Sequence, residues 1–575
     1  MAWLPSQAEL ASFGHDGVKR ANPARVWSPA GWGRSGRVSN HPYPASGQAT
    51  ASGRLWRGAR EGERGLGFPA VGYRPISGPR PPGHGQRPGS DPSPRAAADS
   101  LSVRIGLKMR HPQADDAAPP AEAPAQPASL SPTAKFVTGS IMRHVVVMTS
   151  TGSIGLMSVF AVDLINLWYI AHLGDTVATA AVGYGAAVLF LATSICIGVM
   201  ISAGALCSRA LGARDRELAR RYGASILVWM ILINAGVAVV AFPLIPWLLA
   251  QLGATGRTLE LGSIFLQISV PSGVLMGSGM ALSGVLRAVG DAKRAMYVTL
   301  SGAIAAAILD PIFILWLGLG VEGAAIVIVI SRLVTVLVGW HGASRIHDLV
   351  GRLSLRQAFA DTRPIMAIAG PAMLANLATP VANGYMTAVL APFGDGAVAG
   401  NAVMGRLIAF CFGGIFSLSG VVGPILGQNY GAGRLDRVRR ALTDAFIFTT
   451  IYALIVWGVL AAAHQLVIRL FNIVDPQAAQ LIAFFCLFAA GSWVFHGLLF
   501  VANASFNNLG FPIAATLSNW GKATLGTIPF AMVGAKYWGA EGALAGQGLG
   551  AVIFGVFGVW WAYRSLRWLK VPGQA

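Results

Sequence analysis

From about residue 142 to 566 the chain is a succession of apolar runs of roughly 20 residues separated by short polar links, each long enough to cross a hydrocarbon layer of about 30 Å as a helix. Lipid offers the backbone no hydrogen-bond partner, so such runs must close their own bonds as helices. Twelve spans are expected, near 142–171, 177–207, 223–250, 259–287, 295–317, 322–345, 363–392, 397–428, 441–471, 478–505, 512–535 and 541–566. With 54% hydrophobic and 12% charged residues, the chain is more apolar than a soluble core requires. Its net charge of +19 is divided between an Arg-rich N-terminal stretch and short links, which argues against a nucleic-acid surface. Cys196, Cys207, Cys411 and Cys486 stand singly in apolar runs without metal-ligand spacing, and read as packing residues; no cofactor or metal is expected.

The two halves repeat each other. Gly174-Asp175 in HLGDTVATAAVGYG answers to Gly394-Asp395 in PFGDGAVAGNAVMG, and Gly212-Ala213 in RALGARDRELARR to Gly431-Ala432 in QNYGAGRLDRVRR. Gly290 answers to Gly510, and Glu322-Gly323-Ala324 to Glu541-Gly542-Ala543, all at one common offset to within a single position. The expected fold is an all-α polytopic membrane protein, with twelve transmembrane helices in two six-helix bundles related by a pseudo-two-fold axis along the membrane normal. The expected lobes are 135–345 and 363–568, joined by a cytoplasmic link at 346–362 and followed by a tail at 569–575. Residues 1–134 read as a disordered extension rich in Arg, Gly, Pro, Ser and Ala. Within it, 1–108 resembles translated leader and Met109 is the candidate start, a reading that peptide mapping of the purified protein decides.

Arg and Lys gather in alternate links: SRALGARDRELARR, LRAVGDAKRA, SRIHDLVGRLSLRQ, GRLDRVRR and YRSLRWLK. The positive-inside rule puts these links and both termini in the cytoplasm of a multi-pass inner-membrane protein. Trp168, Tyr169, Trp340 and Trp568 lie near span ends, as aromatic belts do.

Charges at a helix centre cost about 2.5 to 3.5 kcal/mol on insertion scales. Asp163, Asp310, Arg406 and Lys522 fall inside spans, with Asn383 as the main uncharged polar group. Asp163 and Asp310 both come within seven or eight residues of an outer span end, roughly 10 to 12 Å deep. Two adjacent carboxylates cannot both ionise cheaply, so such a pair can load and release a cation. A helix-break role stays open, because Pro311 follows Asp310 and frees backbone groups. Asn383 stands at the repeat-equivalent place of Asp163, keeping the polar position without the charge. Arg406 can snorkel to the interface, Lys522 is deep enough to face a cavity, and His496 reads as a satisfied packing residue.

GQNYGAG, with Gly427, Gln428, Asn429, Gly431, Ala432 and Gly433, closes the eighth span, and SRALGAR at 208–214 is its degenerate partner. With VDLINLWYIAHLGD, ALSGVLRAVGD and LDPIFILWLGLGVEGAA, these runs resemble the multidrug and toxic compound extrusion (MATE) family from Lys135 to about Trp568. The resemblance implies a V-shaped pair of bundles that alternates between inward and outward openings. It implies export of a small organic, cationic and amphipathic compound in exchange for a proton or a sodium ion, with Asp163 where the family places its coupling carboxylate and Asp310 where a second acid of that site is found. Arg406 and Lys522 fall where many prokaryotic members carry a basic residue. Where sodium-binding members carry an Asn and a Thr, this chain has Ala306 and Ile328, which favours a proton over sodium. Thr379 stands near the place of a second-lobe Glu found in some branches, so a second carboxylate site is not expected. A flippase for a lipid-linked glycan is the alternative within transport. A membrane enzyme lacks support, since no nucleophile with a partnered base is visible. The partners expected are the substrate, a proton and the bilayer, and the expected state is a monomer.

Overall fold

The computed structural model describes residues 134–172 and 175–569. The expected N-terminal extension up to residue 133, the candidate start at Met109, Gly174 of the repeat anchor and the tail from residue 570 lie outside the described residues, as does the side chain of Trp168. Every regular element described is helical. The first half runs α1 (Ile141–His172), α2 (Thr176–Gly212), α3 (Arg216–Gln251), α4 (Gly256–Ser269), α5 (Gly273–Val289), α6 (Ala292–Asp310) and α7 (Gly320–Trp340). After α8 (Leu355–Ala360) in the link, the second half runs α9 (Thr362–Leu390), α10 (Asp395–Cys411), α11 (Gly413–Gly431), α12 (Leu435–Leu470), α13 (Pro476–Leu487), α14 (Trp493–Leu509), α15 (Pro512–Ala523) and α16 (Ile528–Ser565). Aspartates start several of them: the carboxylates of Asp175, Asp215, Asp291 and Asp475 accept backbone N–H groups of the first turns of α2, α3, α6 and α13.

Among the described residues nine helical stretches are long and apolar enough to span a membrane, or eleven when α4 with α5 and α10 with α11, each bent by 49°, count as single spans. One of the nine, Pro512–Trp568, is a hairpin. Its backbone leaves helical geometry at Trp538 and Gly539. A Cβ added to Gly534, Gly546 or Gly550 would strike the carbonyl oxygen of Gly542, Phe530 or Gly526 respectively. The two arms are therefore antiparallel and in backbone contact, as small residues allow between helices in lipid. Counted as two, they bring the spans to twelve.

The apolar packing does not stop at the lobe boundaries. Ile141, Val145 and Met148, at the start of α1, pack in a cluster built mainly from α11, α12 and α14 of the second half. Ile365, Ile368 and Ala369, at the start of α9, pack among α2, α3 and α5 of the first half. Val145 and Ile365 occupy equivalent places in the repeat, as do Met148 and Ile368. Each lobe thus lends its first turns to the core of the other, at the end of the molecule that carries the Arg-rich links.

At that end Asp291 joins two links, accepting from Arg294 and lying 2.9 Å from His347 Nε2. Burial raises its proton affinity, but the bonds from His347 and Arg294 outweigh this and hold the carboxyl well below the usual carboxylate range. A depressed carboxylate contributes stability above its unfolded value of about 3.9, and that stability is lost as pH falls through the folded value. Asp291→Asn is expected to lower stability by about 1 to 2 kcal/mol at pH 7, with the gap narrowing below about pH 4; thermal unfolding in detergent across pH checks this.

Candidate functional site

Asp163 and Asn166 are three residues apart on α1 and so share a face of the helix. The amide of Asn166 donates to Asp310 Oδ1 at 2.9 Å. Asp310 ends α6, where Pro311 brings no N–H and the chain widens into a π turn over Pro311–Trp316. Its side chain is fully buried, and Oδ2 has no hydrogen-bond partner. A charged oxygen in that setting costs several kcal/mol, so a proton or a cation relieves it. Asp163 lies within Coulombic reach of Asp310. Asp163 itself is exposed although protein surrounds it closely. The structure therefore brings the two sequence-predicted acids together, one sealed and one accessible.

A third charge belongs to this cluster and was absent from the residues singled out in the sequence. Arg332 on α7 is within Coulombic reach of Asp163. Its Nη1 donates to Ser269 O at 3.0 Å and to Ser272 Oγ at 2.6 Å. Those two serines flank Pro271, at the break between α4 and α5. The signal was available, since Arg332 interrupts the apolar run VIVISRLVTVLV and meets the same charge-in-span criterion as Asp163. Ala306 stands one turn before Asp310 and Ile328 one turn before Arg332, and neither side chain offers an oxygen. Hard cations such as sodium take oxygen ligands, and these two side chains supply none.

The other sequence-predicted residues are not part of the cluster. Asn383 on α9 is exposed, and its backbone carbonyl accepts from Thr387 Oγ1. Arg406 on α10 is exposed. Lys522 on α15 is half-buried and within Coulombic reach of His496. Among the described residues no carboxylate pairs with Arg406 or Lys522. His496 is 8% exposed and stacks on Trp493 at 4.7 Å, which in turn stacks on Phe412. It packs as expected.

GQNYGAG lies where the lobes cross. A Cβ on Gly212 would collide with Gln428 O, and one on Gly431 with Arg209 O, so the ends of α2 and α11 touch backbone to backbone. Around this crossing the bonds are reciprocal. Arg209 donates to the carbonyls of Asn508 (2.8 Å) and Asn507 (3.3 Å) at the end of α14, and Gln428 Nε2 donates to Ala288 O (2.6 Å) at the end of α5. Arg209 and Gln428 keep the same offset as Gly212 and Gly431, so the exchange obeys the internal repeat. Gly427 lies against Ser208, and Gly433 turns the chain at φ +71, a conformation its repeat partner Arg214 adopts at +64. Asn429 and Arg437 hold the backbone of Phe136 to Gly139, while Phe136 N donates to Gln428 Oε1 at 2.8 Å. The motif is a clasp that closes the end bearing the Arg-rich links; the acids lie beyond it.

A family model described as MatE matches residues 153–312 and 371–533, more than half of the chain. A protein of Shewanella oneidensis described as an FAD transporter is 26% identical over 441 residues, covering 76% of this chain and 97% of its own length. The multidrug export protein MepA of Staphylococcus haemolyticus is 25% identical over 414 residues, covering 71% and 90%. A mutant of the MATE transporter VcmN of Vibrio cholerae, solved by crystallography, matches with a TM-score of 0.71 at 24% identity, covering 75% of this chain and 98% of its own; that likeness shows the fold.

Proposed function

Since the chain belongs to the MATE family of membrane transporters, we propose that it is a secondary antiporter exporting small amphipathic organic compounds, organic cations among them, in exchange for protons taken up at Asp163 and Asp310. The observation that carries this reading is the sealed, unpartnered Oδ2 of Asp310 near the exposed Asp163, with no side-chain oxygen at Ala306 or Ile328. Asp163 exchanges protons with the cleft, and Asp310 with its Asn166 bond sets the energy of doing so. The positive-inside rule makes the clasped end cytoplasmic, puts both termini there, and makes this arrangement outward-facing. Alternation then requires the clasp of Gly212, Gly431, Arg209 and Gln428 to part while the outer halves close. Asn383, Arg406 and Lys522 line the second-lobe side of the path.

Ethidium export from proteoliposomes, driven separately by a pH gradient and by a sodium gradient, tests the reading. Export driven by the pH gradient alone is the expected outcome. Export driven by sodium alone would overturn the proton assignment. A second reading of the substrate has its own support: a relative matched over nearly its whole length is described as an FAD transporter, and the unpaired Lys522 and Arg406 suit a phosphate-bearing molecule. Export of FAD instead of ethidium from the same vesicles would favour it.

A further inference from the structure

The guanidinium of Arg332 faces two demands that it does not meet at once. One of its nitrogens holds Ser269 O and Ser272 Oγ across the break of the bent fourth span. Its other nitrogens make no hydrogen bond with the described residues, and Asp163 lies within Coulombic reach without forming an ion pair. Asp163, for its part, has no hydrogen-bond partner among the described residues, while Asp310 has only Asn166. With both acids ionised and Arg332 charged, the cluster carries one net negative charge, and a single proton makes it neutral. Neutrality matters in a low-dielectric interior, where an uncompensated charge is costly.

We propose that Arg332 is a positioning residue for the proton site, a counter-charge that alternates between the break at Pro271 and the carboxylate of Asp163. The proposal rests on the reading of Asp163 and Asp310 as the proton site. When the acids share a proton, Arg332 is free to brace the break, as in this structure. When the proton leaves, the extra negative charge draws the guanidinium toward Asp163, and the two serines lose their donor. The bend of α4 against α5 then relaxes, so the proton's departure acts on a hinge a full side chain away. An arginine suits this double role because its planar fork can keep several acceptors within reach and stays charged throughout.

The remaining ionisable groups on neighbouring helices do not take the part. Cys196 of α2 is also in the field of Arg332, but its thiol is engaged with Asn234 Oδ1 at 3.1 Å. Tyr169 and Tyr184 pack into the apolar cluster around Phe265. Glu260 on α4 is nine residues from Ser269, and Arg287 on α5 is fifteen from Ser272, roughly 13 and 22 Å along their helices.

The test measures the pH profile of ethidium export in proteoliposomes for wild type, Arg332→Gln, Arg332→Lys and Ser272→Ala. Removing the positive charge favours the protonated acids, so Arg332→Gln is expected to move the profile toward higher pH by about one unit and to lower the maximal rate at least tenfold. Arg332→Lys keeps the charge and is expected to restore the wild-type profile. Ser272→Ala loosens the brace alone, and is expected to lower the rate with the profile unmoved. A wild-type profile in Arg332→Gln, or a Lys variant that behaves as the Gln variant does, would overturn the proposal. If Arg332→Gln does not yield monodisperse protein, the other two variants decide: a shifted profile in either, or an unchanged rate in Ser272→Ala, overturns it. A wild type that responds to sodium and not to pH would overturn the proton reading itself, which separates the two failures.

Discussion

Gly431→Val is expected to reduce transport at least a hundredfold, the largest effect of any single change outside the acid cluster. The end of α11 meets the end of α2 so closely that a Cβ at Gly431 would overlap the carbonyl oxygen of Arg209. Valine cannot be accommodated by a rotamer change, since the obstacle is backbone. The helices must separate, and separation stretches the bonds from Arg209 to Asn507 and Asn508 and from Gln428 to Ala288. Losing two or three such bonds at about 1 kcal/mol each, with the packing around them, removes roughly 3 to 4 kcal/mol from the closed clasp. That changes the balance of closed and open forms by a factor of order several hundred. Gly212→Val is expected to behave alike, because it makes the reciprocal contact with Gln428 O. The check is ethidium export together with maleimide labelling of Ser208→Cys in a background free of the native cysteines. Ser208 is fully buried against Gly427 at the crossing. Labelling should be slow with Gly431 intact and fast in the valine variant; normal export with Ser208→Cys still shielded would sink the account.

Asp163→Asn should bring export driven by a pH gradient to below about 1% of wild type, while leaving the folded protein nearly as stable. Asp163 makes no hydrogen bond through its side chain among the described residues and is exposed, so its replacement by Asn disturbs little of the packing. Asp310→Asn is expected to stop coupling too, but at a structural cost. Asp310 is sealed, and its Oδ1 accepts from Asn166. An amide there must turn its oxygen toward Asn166 and bury its NH2 where Oδ2 already lacks a partner, costing about 1 to 3 kcal/mol. Unfolding temperature and transport measured on both variants separate the roles. Unimpaired export by Asp163→Asn would remove this acid from the mechanism.

The spans were legible because hydropathy in lipid is a local property: each run must satisfy its own backbone, whatever it packs against. The repeat was legible for a related reason, since Gly and acidic residues at turns and caps leave marks at fixed spacing. It places Asn383 opposite Asp163 without any coordinates. The shared depth of Asp163 and Asp310 followed from a helical rise alone, but that the two face each other through Asn166 is a fact of the packing. Arg332 shows the limit of that reasoning. A charge inside a run is visible in the sequence, but its partners at the Pro271 break belong to another helix, and nothing in the local pattern names them.

The clasp makes the same point from the side of the glycines. GQNYGAG is conspicuous in the sequence, yet its meaning lies in what it touches: the carbonyl of Arg209, the end of α5 and the backbone around Phe136. The exchange of first turns between the lobes, Val145 in one core and Ile365 in the other, is likewise invisible to hydropathy. The sequence by itself determined how many times the chain crosses, which links are basic, and that charges stand inside the spans, because the bilayer imposes those conditions one segment at a time. Only the tertiary structure decided which faces meet, because contact between helices in lipid depends on small side chains and single hydrogen bonds between residues far apart in the chain, for which an apolar run carries no mark.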